Sequence, residues 1–208
     1  LKQFVEIIMD IDYNDYWNPE YFVDNIEDNK KNVENTINDL SISEKKIMLC
    51  GRGETQHPNF HPRFSTPTTN LESELYVTTD HDPNYVQYIN KKGSYALSLI
   101  VNPVLPKKIK NLGGKIYWFS HKEIKSDVPV LLCGEFPKEN SGLAAISLAS
   151  HVGVKSILLS GIKFTDSYSQ FLSGKELVFE QIKKQGTNIY SLDGLIAEQI
   201  NFQKWCEM

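Results

Sequence analysis

The stretch from Cys133 to Phe164, CGEFPKENSGLAAISLASHVGVKSILLSGIKF, constrains the fold more than any other part of the chain. It reads as a loop, a helix and a buried strand in immediate succession. Asn140-Ser141-Gly142 opens the helix, with Ser141 or Asn140 as the N-cap, because either side-chain oxygen can accept the orphan N–H groups of the first turn. Leu143, Ala144, Ile146, Leu148, Ala149 and Val152 recur at helical spacing and form a broad apolar face. Gly153 follows as the C′ residue. The run from Ser156 to Ile162 has strand length and is apolar throughout its middle, the pattern of a strand buried on both faces of a parallel sheet. A polar, glycine-containing loop that enters a helix beside such a sheet is an anion site, which makes Asn140, Ser141 and Gly142 the first candidate phosphate contacts.

The remaining chain fits around this unit. Residues 45–53 read as a first buried strand ending in a glycine turn, and 56–70, with Pro58, Pro62 and Pro67, as a long loop. Strands are expected over 75–79, 95–101, 115–119 and 188–192. Helices are expected over 84–92, 105–112, 173–185 and 195–205, and 128–133 reads as a short strand or a turn. Alternation of strands and helices at this spacing implies an α/β, Rossmann-like, mostly parallel sheet with helices on both faces. Residues 1–44, rich in Asp, Asn, Glu and Tyr, carry apolar residues at Phe22, Ile26, Val33, Ile37 and Leu40. They read as an N-terminal helical cap on a nucleotide-binding domain spanning 45–208, their acidic side chains forming a solvated face.

Charge and cysteine usage narrow the function classes. A net charge of -4 leaves no electrostatic case for nucleic acid as a partner. No apolar run approaches the roughly 20 residues of a membrane span. No signal-peptide pattern opens the chain, although its first residue is not Met and the natural start is expected upstream. Cys50, Cys133 and Cys206 form neither a zinc spacing nor a disulfide framework, so a cytoplasmic setting is expected. Cys50 and Cys133 lie in apolar runs as small core residues.

Three stretches fall at strand ends, where open α/β sheets bind ligands. In Gly51-Arg52-Gly53 the glycine backbone can approach a phosphate closely and Arg52 adds charge, although Gln56 stands where a dinucleotide fingerprint needs a third glycine. In Thr79-Asp80-His81-Asp82-Pro83, Asp80 and Asp82 are placed to hold a Mg²⁺ that bridges nucleotide phosphates, with His81 beside them as a candidate acid or base. Asp82-Pro83 can equally cap the next helix, with Pro83 at its first position. The third stretch is the loop before Ser141. Asp166 and Tyr168, after the strongest strand, are further candidate nucleotide contacts. His57 and His61 lack a partner ligand nearby and read as solvent-facing or substrate-contacting, His151 as a surface or satisfied side chain, and His121 carries no signal of its own.

The segment NSGLAAISLASHVGVKSILLSGIKF resembles that of the MptE-like superfamily, which holds archaeal 6-hydroxymethyl-7,8-dihydropterin diphosphokinases and the core domain of Maf-type flagellin glycosyltransferases. It is similar, more distantly, to the SGxDF segment of bacterial CMP-sialic-acid transferases. KKIMLCGRGET occupies the place of the family's strand and GxGPSL turn, with Glu54-Thr55 replacing Pro-Ser. TTNLESELYVTTDHDPNYVQYI matches the region where the diphosphokinases carry TDLDG, interrupted here by His81 and Pro83. The resemblance covers residues 45–192. It implies a nucleotide-handling transferase that binds a small-molecule nucleotide and an acceptor, and it admits a homo-oligomer. Its first reading is Mg²⁺-dependent diphosphoryl transfer from ATP to a hydroxymethylpterin-type acceptor, with Asp80 and Asp82 as metal ligands. The alternatives are glycosyl transfer from a nucleotide sugar such as a CMP-sugar, and a non-catalytic nucleotide-binding module.

Overall fold

The computed structural model describes residues 19–53, 60, 63–69, 71–134, 140–162, 172–192 and 197–208. In chain order its strands are β1 (Lys46–Cys50), β2 (Arg63–Ser65), β3 (Leu75–Thr78), β4 (Ser94–Ser98), β5 (Lys115–Phe119), β6 (Ser156–Ser160), β7 (Asn188–Ser191) and β8 (Glu198–Gln199). Among the described residues these form one sheet in the order β5-β4-β3-β2-β1-β6-β7-β8. Every pairing in it is parallel, so all carboxyl ends share one rim. The chain builds outward from β1 to β5, then returns to the other side of β1 to lay down β6. Strand order therefore reverses between β1 and β6, the position at which open α/β sheets take their ligands.

Burial on both faces explains why the central strands read as near-continuous apolar runs. In β1, Ile47 and Leu49 face one core while Met48 and Cys50 face another, as the two-residue period of a strand requires. The first face is covered by α3 (Ser141–His151) and α4 (Leu172–Lys184), through Leu143, Ile146, Leu148, Val178 and Ile182. The other face is covered in two parts. Over β3 to β5 lie α1 (Pro19–Lys30), a 3-10 helix (Pro83–Tyr88) and α2 (Val104–Asn111). Over β1 and β6 lies α5 (Phe202–Glu207), whose buried Trp205 donates its indole N–H to Ser156 Oγ at 2.8 Å. The expected Rossmann-like sheet with helices on both faces is the observed architecture. Among the described residues no helix is long and apolar enough to cross a membrane.

The helix α3 departs from its expected one-sided pattern. Every residue from Gly142 to Ser150 is buried, so the small side chains Ala144, Ala145, Ser147, Ala149 and Ser150 are packed as well as the large ones. Its small residues allow the helix to seat between β3 and α4, and it closes in a Schellman pair. Val154 N–H donates to Ala149 O and Gly153 N–H to Ser150 O, both at 3.0 Å. Asn140, not Ser141, is the N-cap, with Oδ1 accepting the Gly142 and Leu143 amides at 2.8 and 3.2 Å.

Other elements differ from the sequence expectation for local reasons. The stretch expected as loop over 56–70 contains β2, three residues that hold their place by pairing with β1 on one side and β3 on the other. The helix expected over 84–92 is the shorter 3-10 helix, capped by Asp82 with Pro83 at its first position. Strand 95–101 ends at Ser98, because the carbonyls of Leu99, Ile100 and Val101 turn away to accept from Asn29 and Asn25 of α1. In place of a helix over 195–205 stand β8 and then α5. Residues 128–133 form a bridge, Ser120 to Val130, not a full strand. A matching bridge from Thr36 to Trp118, with Trp118 N–H donating to Asn35 O, covers the outer edge of β5 against stray pairing.

Candidate functional site

Hydrogen bonds between far-separated segments draw the strand ends together at the reversal point. After β1 and β6 the parallel pairing runs on into two glycine turns. Gly51 N–H donates to Ser160 O at 2.9 Å, and Gly53 N–H to Gly161 O at 2.7 Å. Gly161 has φ of 67°, a backbone region that favours glycine. Gly51 is fixed by crowding instead. A Cβ there would lie 2.6 Å from Ile162 Cγ1 and 2.7 Å from Gly161 O. Gly51→Ala is therefore expected to destabilise the fold by about 1–3 kcal/mol, the usual cost of overpacking a tight site. Urea unfolding checks this, and an unchanged midpoint would show that the turns are looser than described.

The start of α3 joins this turn to the end of β3. Ser141 Oγ accepts the Thr79 N–H at 3.1 Å and lies 3.2 Å from Thr79 Oγ1 and 3.4 Å from Thr78 Oγ1. Gly142 packs towards Ile162, beyond the Gly161 turn. The three stretches singled out in the sequence thus meet on one rim: the glycine turn after β1, the acid pair after β3, and the N-terminus of α3. Within that rim the helix start is partly occupied by its own residues. The Gly142 and Leu143 amides go to Asn140, and the Ser141 hydroxyl ties α3 to β3. What they leave to a ligand is the positive end of the helix dipole more than a set of open amides.

Asp80 lies half-buried just beyond β3. Its N–H donates to Thr78 Oγ1 at 3.1 Å, and its Oδ1 accepts the Asp82 N–H at 3.0 Å. Desolvation by burial raises its pKa above the ordinary carboxylate value of 3.8, against lowering by the Asp82 amide and by His81. Asp82 Oδ1 accepts the Asn84 N–H at 2.8 Å, so this residue is a helix cap. The His81 ring lies on Phe22 of α1, centroids 4.8 Å apart, which brings the N-terminal helix directly to the site. Arg52 and Gly53 are exposed at the rim.

The expected Mg²⁺ site finds little support in this arrangement. Among the described residues no group of three or more His, Cys, Asp or Glu is placed to hold a metal ion. One oxygen of each acid is already bonded to an amide. Among the described residues, Asp80 and Asp82 alone do not complete a metal centre.

Several residues at this rim carried no individual signal in the sequence. Thr66 N–H donates to Cys50 O at 3.3 Å, which brings the loop after β2 beside the end of β1, and Thr66 Oγ1 lies 3.0 Å from Thr68 Oγ1. The buried Tyr85 phenol lies near the Thr78 and Thr68 side chains, and burial raises its pKa. A chain of hydroxyls thus lines the rim between β2, β3 and α3. The threonine-rich composition of the proline loop was the only hint. Cys50, in contrast, is a core residue as expected, its thiol pushed up to about 12 by burial. Cys133 is equally buried and Cys206 exposed, and none of the three is in a disulfide. His151, on the exposed end of α3, places Nε2 3.0 Å from Asn38 Oδ1. Asp166, Tyr168, His57 and His61 lie outside the described residues.

No family model matches the chain, and no curated protein matches it. Among solved structures, it is similar to the sialyltransferase CstII from Campylobacter jejuni in complex with cytidine-5'-monophosphate. Identity is 15%, over 76% of this chain and 86% of that one, with a TM-score of 0.41. An apo alpha-2,3-sialyltransferase from Campylobacter jejuni gives 16% identity over 78% and 80% of the two chains, TM-score 0.40. CstII with CMP-3FNeuAc gives 14% over 76% and 86%, TM-score 0.37. Values this low assign no chemistry to the present residues, which are therefore weighed on their own geometry.

Proposed function

We propose that this chain is a nucleotide-dependent transferase that moves a glycosyl group from a nucleotide sugar to an acceptor hydroxyl. The observation that carries the reading is Asp80, a half-buried carboxyl of raised pKa at the rim where strand order reverses. A desolvated carboxylate is a stronger base than a solvated one, and its place at the end of β3 on this rim suits it to take the proton of an attacking alcohol. As that proton passes to Asp80, the acceptor oxygen bonds to the anomeric carbon. The bond to the nucleotide phosphate breaks, and the leaving phosphate carries away the electron pair. The positive end of α3 and the exposed Arg52 stand on the same rim to meet that charge. The part-exposed Thr68, backed by the buried hydroxyls of Thr66, Thr78 and Thr79, offers a neutral group of the kind that recognises ribose and sugar hydroxyls.

Diphosphoryl transfer from ATP, the first reading of the resemblance, asks for more charge neutralisation than these residues bring together. A thermal-shift panel separates the two. CMP or a nucleotide diphosphate sugar is expected to stabilise the chain without Mg²⁺, by about 2.7 kcal/mol at one hundred times its Kd. Protection by ATP with Mg²⁺ alone would overturn the proposal in favour of the diphosphokinase. Protection by no nucleotide at all would leave a module without this chemistry.

A further inference from the structure

We propose that His121 is a positioning residue for this rim: as its neutral Nδ1–H tautomer it links Ser98, at the exit of β4, to Cys133, at the root of the segment that launches α3. The geometry is a continuous polar chain inside the protein. Ser98, His121 and Cys133 are 0%, 3% and 1% exposed, so water does not compete for these bonds. Ile100 N–H donates to Ser98 Oγ at 3.2 Å, and Ser98 Oγ lies 2.5 Å from His121 Nε2. On the other side of the ring, Nδ1 lies 3.1 Å from Cys133 Sγ, and that thiol donates to Leu131 O at 3.6 Å.

These four bonds select one tautomer. Ser98 Oγ accepts the Ile100 N–H, so its own hydrogen is directed to Nε2, which must carry the lone pair. The hydrogen of the neutral ring then lies on Nδ1, towards Cys133 Sγ, and the thiol in turn donates to Leu131 O. Along these four bonds the arrows run in one sense, from Ile100 to Leu131. Burial favours the neutral ring independently, lowering the His121 pKa from 6.5 to about 3.

The consequence for the site lies in the next bond. Cys133 O accepts the Asn140 N–H at 3.2 Å, closing the connection between residues 133 and 140 at its base. Asn140 caps α3, and Ser141 ties that helix to Thr79 beside Asp80. Through Cys133 the His121 ring thus bears on where the helix start and the acid after β3 meet. The inference depends on the proposed function only for what the positioning serves. Its test reads structure directly, so its failure is distinguishable from a failure to bind nucleotide.

Long-range proton–nitrogen correlation on the imidazoles of the unmodified chain is expected to show His121 as the Nδ1–H tautomer at neutral pH. The Nε2–H tautomer or an imidazolium there would overturn the proposal without recourse to any variant. In His121→Phe, hydrogen exchange at the Asn140 amide is expected to accelerate about tenfold relative to Leu158 in β6, the equivalent of one lost hydrogen bond. His121→Asn, whose amide nitrogen replaces Nδ1, is expected to recover most of that protection. Equal acceleration at Asn140 and Leu158 in His121→Phe, or no recovery in His121→Asn, would reduce His121 to a packing residue and overturn the proposal.

Discussion

Asp80→Asn is expected to lower transferase turnover by about 100- to 10,000-fold, the range set by removing a positioned general base. The fold should survive the change. Asn retains an Oδ1 to accept the Asp82 N–H, and it removes a charge that burial disfavours. Because the native carboxyl has a raised pKa, its ionised form costs stability at neutral pH, and the variant should melt at the same temperature or slightly higher. Nucleotide binding should change little if Asp80 acts on the acceptor as proposed. A variant that keeps full turnover would remove Asp80 from the chemistry. A variant that unfolds would make it a structural acid. Turnover and melting temperature measured on the same preparation distinguish all three results.

Acidification is the second large effect, and it comes from His121. The folded protein takes a proton on this ring only near pH 3, whereas the unfolded chain takes one near 6.5. Between those values the unfolded state binds more protons, so stability rises with pH across the window and is lost as pH falls from 6.5 towards 3. Above 6.5 both states are neutral and the ring contributes no pH dependence. The slope from this one group approaches about 1.4 kcal/mol per pH unit. Asp80 acts in the opposite sense between its ordinary 3.8 and its raised folded value. Urea midpoints measured from pH 7 down to about 5 should fall for the native chain and fall less for His121→Asn. Equal slopes in the two proteins would show that the ring is charged or solvated in the folded state.

The parts of this molecule that could be read from the chain are those in which one short segment carries its own instructions. Asn140 to Ile162 is the best case. A cap, an apolar period, a terminating glycine and a β-rich run all lie within one window, and the observed boundaries of α3 and β6 follow them closely. The convergence of the three rim stretches was legible for a different reason. In a parallel sheet every strand ends on the same side, so finding strand ends amounts to finding the rim. Where a role depends on partners far along the chain, the local signal vanishes. β2 is three residues long and exists because β1 and β3 flank it. His121 was uninformative because its meaning lies at Ser98 and Cys133. Asp82 offered both a cap and a ligand, and its bond to Asn84 realises the cap. The helix expected over 195–205 had the right apolar content but not the length, since Asn201 starts α5 with a cap of its own.

The placement of β1 against β6 also sets the timetable of folding. Lys46 to Cys50 are among the first strand residues to be made, yet their register partners, Ser156 to Ser160, emerge only after four other strands. Until then the middle of the sheet has one open edge, carrying Ile47, Met48 and Leu49 with nothing alongside. Contacts that must wait across so much chain make for slow collapse and a long exposure of sticky backbone during synthesis. The rim where strand order reverses is built from that same late junction, so it is assembled late in the process, and a chain interrupted before Ser156 lacks the β6 half of it.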